Sequence, residues 1–359
     1  MSLTAGIEAL EDLRLDPEFL RRWASVPVAG PLSQLSLHVP TFKRYSSTEL
    51  SPAPAHAWPA VSITGGDCQL KCDHCQAKIL EPMIAARTPE ALWRVAAEAI
   101  ERGAKGMLLS GGSNHRDEVE YGPFLPVVRR IKDAHPDFRI AMHTALVDAP
   151  MARAIAASGV DAAMLDIIGA QDTVQQVYHL RRPVADFERA LEALVATPLK
   201  VVPHIVVGLH YGRLLGEWNA LEIVARHKPA ALVLVVAMPN YASPKRPFAT
   251  PVPAEAGRFF LEARAALPDI PVLLGCARPA GRAKAEIDAY AVLAGLDGIA
   301  HPAEGIVQLA RAASRPVRVA ASCCSIGVFD EDAKWEDASM LDALAAPLSR
   351  IGRIPVVVA

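Results

Sequence analysis

Short apolar runs alternate with amphipathic segments from residue 60 to about residue 325, and this alternation constrains the fold of the chain more than any other feature. The pattern is typical of βαβ units and predicts a parallel sheet. The strand candidates are eight runs, at residues 60–64, 106–110, 139–143, 161–167, 200–207, 231–237, 272–274 and 298–300. The helix candidates lie between them, at residues 89–102, 124–134, 151–158, 186–196, 217–227, 254–267 and 283–294.

Eight βα repeats fit an α/β fold, a closed (β/α)8 barrel of the TIM type, whose active site lies at the C-terminal ends of the strands. An open six-stranded partial barrel is the alternative. We expect an N-terminal extension over residues 1–59, with a helix at residues 17–24 and then a Pro- and Ser-rich segment that interrupts helices. The barrel domain is predicted to span residues 60–325, and residues 326–359 a C-terminal extension with a last helix at 339–348.

Composition excludes several classes of function. A formal net charge of −2 offers no general attraction to nucleic acid, and the basic clusters are only pairs. No window approaches the roughly 18 consecutive apolar residues of a membrane span. The first sixteen residues mix acidic with isolated apolar residues, unlike a signal peptide. We therefore expect a cytoplasmic protein that contacts neither nucleic acid nor membrane.

Three cysteines follow the first predicted strand at spacings of four and three residues: Cys68, Cys72 and Cys75. Clustered intracellular cysteines favour metal or redox chemistry over disulfides. A [4Fe–4S] cluster needs four ligands, so three thiolates leave one iron open to a small molecule. The alternative is a structural zinc site, but such sites close with four Cys or His ligands, and His74 would crowd its neighbours as the fourth.

This loop resembles the CxxxCxxC signature of the radical S-adenosylmethionine superfamily, with His74 where an aromatic residue usually precedes the last cysteine. The resemblance implies that the open iron binds the amino and carboxyl groups of S-adenosylmethionine, which one electron cleaves to a 5′-deoxyadenosyl radical. The second strand ends in a turn like the GGE turn of the family, formed by Ser110, Gly111, Gly112 and Ser113. Ser113 replaces the acid, so the contact with the methionyl amine is expected to rest on backbone carbonyls.

Other strand ends carry candidate cofactor and catalytic residues. Asp166 lies at the end of the fourth strand, where it is expected either to bind ribose hydroxyls or substrate, or to serve as a helix cap or ion-pair partner. The segment from Gly208 to Glu217 resembles the GxIxGxxE segment of the family, which packs against adenine. His143, His204 and His210 also lie at strand ends, where a histidine is either a satisfied core residue or a group that binds the cofactor or transfers protons.

The remaining cysteines lie late in the chain: Cys276 after the seventh strand, and Cys323 and Cys324 after the eighth unit. They are either buried small apolar residues or ligands of an auxiliary iron–sulfur cluster that serves as a source of sulfur. The candidates for a fourth ligand are Arg278, Ser322 and Ser325.

Across the barrel the chain is similar to the second protein of the two-protein lipoyl synthase of archaea and some bacteria. The resembling stretches are residues 68–80, 108–112, 142–144, 177–180, 203–210, 275–279 and 323–324. The resemblance implies sulfur insertion into an octanoyl chain on a lipoyl carrier domain or peptide. It also implies two partners, a second radical S-adenosylmethionine lipoyl synthase protein and an electron donor such as ferredoxin or flavodoxin.

Other readings stay open at this point. An enzyme like biotin synthase or methylornithine synthase would share the barrel and the cofactor but act on another small substrate, with a two-iron auxiliary cluster in the first case and none in the second. A tRNA-modifying enzyme would carry a basic RNA-binding domain, which the sequence lacks. A zinc-binding structural protein is the alternative outside catalysis.

Overall fold

A parallel sheet of eleven strands organises the structure, a computed structural model that describes residues 10–25, 34–41, 45–51, 53, 54 and 56–329. The strands in chain order are β1 Leu35–His38, β2 Ala60–Ser62, β3 Ile84–Ala85, β4 Gly106–Ser110, β5 Arg139–His143, β6 Ala162–Asp166, β7 Lys200–Val207, β8 Leu232–Val236, β9 Val272–Leu274, β10 Gly298–Ala300 and β11 Val317–Ala320. Their order in space is β11-β1-β10-β9-β8-β7-β6-β5-β4-β2-β3. Neighbouring strands are parallel, so their C-terminal ends meet at one edge.

Helices connect successive strands, and most of them cover the outer face of the sheet. They are α1 Pro17–Ser25, α2 Pro89–Glu101, α3 Leu125–Ala134, α4 Ala149–Ala157, α5 Gln171–Gln176, α6 Ala185–Val195, α7 Glu217–His227, α8 Pro253–Ala266, α9 Arg282–Leu293, α10 Ile306–Ala312 and α11 Cys324–Gly327. Local signals start several of them. The side chain of Thr88 accepts a hydrogen bond from the Ala91 amide, and Asp148 caps α4 in the same way.

The eight predicted strands are all present, with ends within two residues of the prediction, and so are the predicted helices among the described residues. They were readable because a strand buried on both faces is a continuous apolar run, as in β8. Strands β1, β3 and β11 were not predicted. Strand β1 has only four residues between prolines, yet it pairs with both β10 and β11. The division of the chain at residues 59 and 325 stays a prediction.

The sheet curls into an open barrel. Among the described residues no pairing joins the edge strands β3 and β11, whose recorded neighbours are β2 and β1. Helix α11 packs against β5, β6 and β10, which lie far apart in strand order, so the sheet bends around it. The α/β barrel class is confirmed, and its form is the open one, with eleven strands rather than the six predicted for an open barrel.

The interior of the curled sheet is packed with small and apolar side chains. Ala141, Ala162, Val202 and Val233 form this core with Trp58, which is 2% exposed. Space remains at the C-terminal edge, above this packed layer. Among the described residues no helix is both long and apolar enough to cross a membrane. The helix predicted at 339–348 lies outside the described residues.

Candidate active site

A cavity of about 290 Å³ lies at the C-terminal edge of the sheet, where (β/α)8-type folds place their active sites. The early cysteine loop, residues 67–76, forms one side of it directly after β2. Cys72 is buried and the other two cysteines are partly exposed, and all three line the cavity. The loop closes tightly, because the amides of Cys75 and Gln76 both donate to the carbonyl oxygen of Cys72.

The three early thiols lie within electrostatic range of one another. Burial raises the pKa of Cys72, and the nearby Cys75 and Cys68 raise it further. Burial would also raise the pKa of Cys75, but the charge of His74 and a hydrogen bond to it outweigh burial and lower the pKa. Three thiolates here would repel one another unless a cation lay between them. Because thiolates are the ligands of iron–sulfur clusters, the donor set fits such a cluster.

The Gly-Gly turn after β4 presses directly against the early cysteine loop. A Cβ atom on Gly112 would lie 1.9 Å from the carbonyl oxygen of Asp67 and 2.7 Å from the Cα atom of Cys68, so only glycine fits there. The Gly112 amide donates to Thr64 Oγ1 at 2.7 Å, and the Gln69 amide donates to the carbonyl oxygen of Ser113 at 2.9 Å. The four turn residues line the cavity with the cysteines, as the sequence order of loop and turn suggested.

Asp117 is a cavity residue that the sequence analysis missed. It is 8% exposed, and burial raises the pKa of its carboxyl to about 6, although a hydrogen bond with Ser113 lowers it. The acid absent from the Gly-Gly turn is therefore replaced, in space, by one four residues further on. Its backbone has a φ of 57°, in the left-handed region, which carries the side chain back to the cavity. An acid so soon after the turn was the available signal.

Three predicted residues meet on an adjoining wall of the cavity, at the ends of β5, β6 and β7. Atoms Nε2 of His143 and Oδ1 of Asp166 are 3.7 Å apart, and the rings of His143 and His204 have centroids 5.6 Å apart. Tyr178, another residue not singled out from the sequence, donates to Asp166 Oδ2 at 3.4 Å. One ligand atom each from His143, Asp166 and His204 lies within 4.8 Å of the other two. This spacing suits either a cation or a polar part of a ligand.

The charges of this wall are set by contact between its members. Burial would raise the pKa of Asp166, but the hydrogen bond and charge of His143 outweigh it and lower the pKa to about 2. Burial lowers the pKa of His204 to about 4, and the neighbouring His143 acts in the same direction. The wall therefore holds a carboxylate beside one neutral imidazole at neutral pH.

His210 and Gly208 lie away from the cavity. The ring of His210 is buried with Nδ1 3.1 Å from Thr173 Oγ1, so it is satisfied by a core partner. Gly208 has a φ of 79° and packs against Pro251. Its amide and three others, those of Leu209, Leu215 and Gly216, donate to the carboxylate of Glu217. The role of Gly208 in adenine binding stays a prediction.

The late cysteines line the same cavity from segments that follow strands towards the other end of the strand order. Cys276 follows β9, while Cys323 and Cys324 begin α11, and all three line the cavity with the early cysteines. A hydrogen bond with Cys324 lowers the pKa of Cys323 to about 7. Ser325 Oγ lies 3.1 Å from the sulfur of Cys323. The curl of the sheet therefore places all six cysteines around one space.

The candidate fourth ligands differ in their surroundings. Each guanidinium nitrogen of Arg278 donates to a structural partner, among them the carboxylate of Asp288 and the carbonyl oxygens of Gly275 and His301. Ser322 Oγ is buried without a hydrogen-bond partner among the described residues. Arg278 is thus committed to a buried ion pair, whereas Ser322 and Ser325 keep oxygens near the late cysteines.

The wall between the early and late cysteines is mostly apolar. Its side chains come from the strands and from the loops after β8 and β9: Leu108, Met164, Val206, Val235, Ala237, Met238 and Ala277. Such a surface suits a hydrocarbon part of a ligand, because burial of apolar area is favourable while unpaired polar groups are costly.

Comparisons with known proteins match part of the chain to one family model and its fold to two solved structures. Residues 62–212 match the sequence model of the Radical SAM superfamily. The fold is similar to that of methylornithine synthase (PylB), at 11% identity and a TM-score of 0.55 over 82% of this chain and 81% of that one. It is also similar to HydG from Carboxydothermus hydrogenoformans, a maturase of [FeFe]-hydrogenase, at 15% identity and a TM-score of 0.51 over 84% and 67%.

A search of curated proteins found no match. The matched residues contain the early cysteine loop, the Gly-Gly turn and the His143–Asp166–His204 wall. Radical SAM enzymes use a [4Fe–4S] cluster and S-adenosylmethionine, and the cysteine loop supplies a fitting donor set. Residues 62–212 therefore form a domain that matches the radical SAM superfamily.

Proposed function

We propose that this radical SAM enzyme inserts sulfur into an octanoyl chain on a lipoyl carrier domain or peptide, as a lipoyl synthase does. The observation that carries the proposal is that the early and late cysteines line one cavity from opposite sides. A radical generator and a source of sulfur must both reach the same carbon atom, and one cavity meets that requirement.

Cys68, Cys72 and Cys75 are proposed to hold the [4Fe–4S] cluster, which with S-adenosylmethionine supplies a 5′-deoxyadenosyl radical when bound. The chain positions the cofactor around that chemistry. Ser110, Gly111, Gly112 and Ser113 are proposed to give the methionyl part close access to backbone, and Asp117, which lines the same cavity, is proposed to accept from its amine.

The His143–Asp166–His204 wall is proposed to face the sugar and the reacting carbon. The Asp166 carboxylate is a strong acceptor for two hydroxyls, and a neutral His204 can accept or donate. His143 and Tyr178 hold the carboxylate in place. The wall thereby orients ligand groups that the apolar side chains next to it cannot recognise.

Cys276, Cys323 and Cys324 are proposed to hold an auxiliary cluster that is consumed as the sulfur substrate, with Ser322 or Ser325 completing the ligand set. With both groups bound, the cofactor would supply the radical that removes a hydrogen atom from the substrate C–H bond, and the auxiliary cluster would supply the sulfide for the new C–S bond. Cys276, Cys323 and Cys324 would hold that source of sulfur at the cavity. A radical is needed because an unactivated C–H bond resists acid–base chemistry.

The apolar wall supports the proposed substrate class. An octanoyl chain is a hydrocarbon that gains roughly 0.8 kcal/mol for each CH₂ group buried. A second radical SAM lipoyl synthase protein is the proposed source of the other sulfur. Reduction of the cluster requires an electron donor, for which ferredoxin or flavodoxin is the proposal.

The test is anaerobic turnover of the reconstituted full chain with an octanoylated carrier peptide, with and without a partner protein, read by mass spectrometry. A gain of one sulfur atom is expected from this chain alone. Iron analysis should find about eight irons for two four-iron clusters. About four irons with no sulfur in the product would instead favour a methylornithine-synthase-like enzyme, and about six, for a four-iron and a two-iron cluster, a biotin-synthase-like one. Zinc without iron would exclude a radical mechanism.

A further inference from the structure

Asp73, the residue between Cys72 and His74, connects the early cysteine loop to other segments of the fold through hydrogen bonds. Its side chain is 7% exposed. Tyr211 and Arg246 donate to Oδ2 at 3.0 and 3.1 Å, and the Nε2–H of His179 donates to Oδ1 at 3.1 Å. Three segments far apart in sequence thus converge on one carboxylate in the middle of the cysteine motif.

The backbone of Asp73 is held as firmly as its side chain. Its amide donates to the carbonyl oxygen of Val177 at 2.9 Å, and its own carbonyl oxygen accepts from the Ser243 amide at 2.7 Å. The hydroxyl oxygen of Tyr211 also lies 3.0 Å from the carbonyl oxygen of Gln176, to which Arg246 Nη1 donates at 3.1 Å. The position of the turn from Cys72 to Cys75 therefore depends on contacts made by Asp73, which lies within that turn.

A second aspartate in the same loop provides a natural comparison. Asp67 is adjacent to Cys68 as Asp73 is adjacent to Cys72, and each is paired with an arginine. The side chain of Asp67 is 78% exposed and that of its partner Arg87 is 55% exposed. Water and salt screen an exposed charge strongly, whereas a buried charge acts on its neighbours through a medium of lower dielectric constant.

We propose that Asp73 is a positioning residue whose buried charge, set against that of Arg246, tunes the reduction potential of the cluster on Cys68, Cys72 and Cys75. The inference rests on the proposed function, which assigns those ligands. The potentials of iron–sulfur clusters depend on nearby charge, hydrogen bonding and solvent exposure. Reduction adds one negative charge to the cluster, so a buried carboxylate opposes it and a nearby guanidinium favours it.

Asp73→Asn is the substitution that isolates the charge. Asparagine keeps an oxygen for Tyr211 and Arg246, and its amide nitrogen can donate to the Nε2 of His179 in the other tautomer. The expected result is a shift of the midpoint potential to a more positive value. Arg246→Gln should shift it in the opposite direction and by less, because Arg246 is 52% exposed. Asp67→Asn, the matched control, should leave the potential unchanged.

The measurement is an anaerobic redox titration of the reconstituted full chain, followed by the electron paramagnetic resonance signal of the reduced cluster. Shifts of opposite sign for Asp73→Asn and Arg246→Gln support the proposal. Shifts of the same sign would indicate loosened structure and overturn it, as would an unchanged potential in Asp73→Asn at full iron content. If Asp73→Asn does not fold, the sign of the Arg246→Gln shift decides. A wild-type protein without a cluster would instead refute the proposed function.

Discussion

The early and late cysteines are two solutions to the same problem, that of presenting three thiols to one space. Cys68, Cys72 and Cys75 lie within a single loop after β2, so their spacing along the chain limits their separation, and local hydrogen bonds close the turn from Cys72 to Cys75. The late three are divided between the loop after β9 and the start of α11, and only the curl of the sheet brings them together. A local site depends on spacing and a divided site depends on the whole fold. The early site is therefore expected to tolerate changes in the barrel better than the late one.

The largest expected effect comes from breaking the early site. Replacing Cys72, which is 5% exposed, with alanine removes one of the three proposed ligands from a site that has no spare thiol in its loop. Formation of 5′-deoxyadenosine should fall to the background of the assay, measured by chromatography after reduction with dithionite. Retained formation in this variant would show that the cluster is held elsewhere.

Breaking the late site should separate the two halves of the reaction. Cys323→Ala is expected to lower the iron content from about eight to about four atoms per chain while the other cluster persists. Cleavage of S-adenosylmethionine should continue, and sulfur incorporation into the octanoylated peptide should stop. Paired measurement of 5′-deoxyadenosine and of product mass checks both. Unchanged sulfur incorporation would show that Cys323 only packs against its neighbours. The comparison between the early and late sites would then no longer hold.

The contrast between local and distant contacts also explains which features of the fold could be predicted from the sequence. The eight main strands are apolar runs, since they are buried on both faces, and the early loop is a contiguous motif, so both were readable. Strand β1 is four residues long and gains its stability from β10 and β11, partners more than 250 residues away. No local pattern could reveal that pairing. The open form of the barrel depends on the same distant contacts.

The site shows the same division. The cluster loop, the Gly-Gly turn and the meeting of His143, Asp166 and His204 follow from the rule that parallel strand ends share one edge. His210 was placed with them by the same rule, but it turns towards Thr173 after the strand has ended. The buried surroundings of Asp73 and Asp117 could not be predicted, because they are created by segments brought in by the fold.

The buried ion pair between Arg278 and Asp288, close to Cys276 in the chain, should contribute measurably to the free energy of unfolding. Arg278→Met leaves the fully buried Asp288 with Lys284 as its remaining cationic partner, and loss of one member of a buried ion pair costs about 3 kcal/mol. Chemical denaturation of the cluster-free protein should show this loss in the free energy of unfolding. Arg129→Met, which breaks an exposed pair with Asp133, is the control and should cost less than about 1 kcal/mol. If Arg278→Met lost iron without losing stability, Arg278 would be a ligand and not a support.

The smallest predicted effect concerns recognition of the cofactor beside the early site. Asp117→Asn removes the carboxylate proposed to accept from the methionyl amine while keeping the shape of the side chain. A lost hydrogen bond between charged groups costs about 1.5–3 kcal/mol, so the dissociation constant of S-adenosylmethionine should rise roughly 10–100-fold. Equilibrium dialysis with the reconstituted protein measures it, with the exposed Asp67→Asn as control, and the iron content of both variants should match wild type. An unchanged dissociation constant would assign the amine to the backbone carbonyls of the Gly-Gly turn, because those are the other acceptors that the turn presents to the cavity.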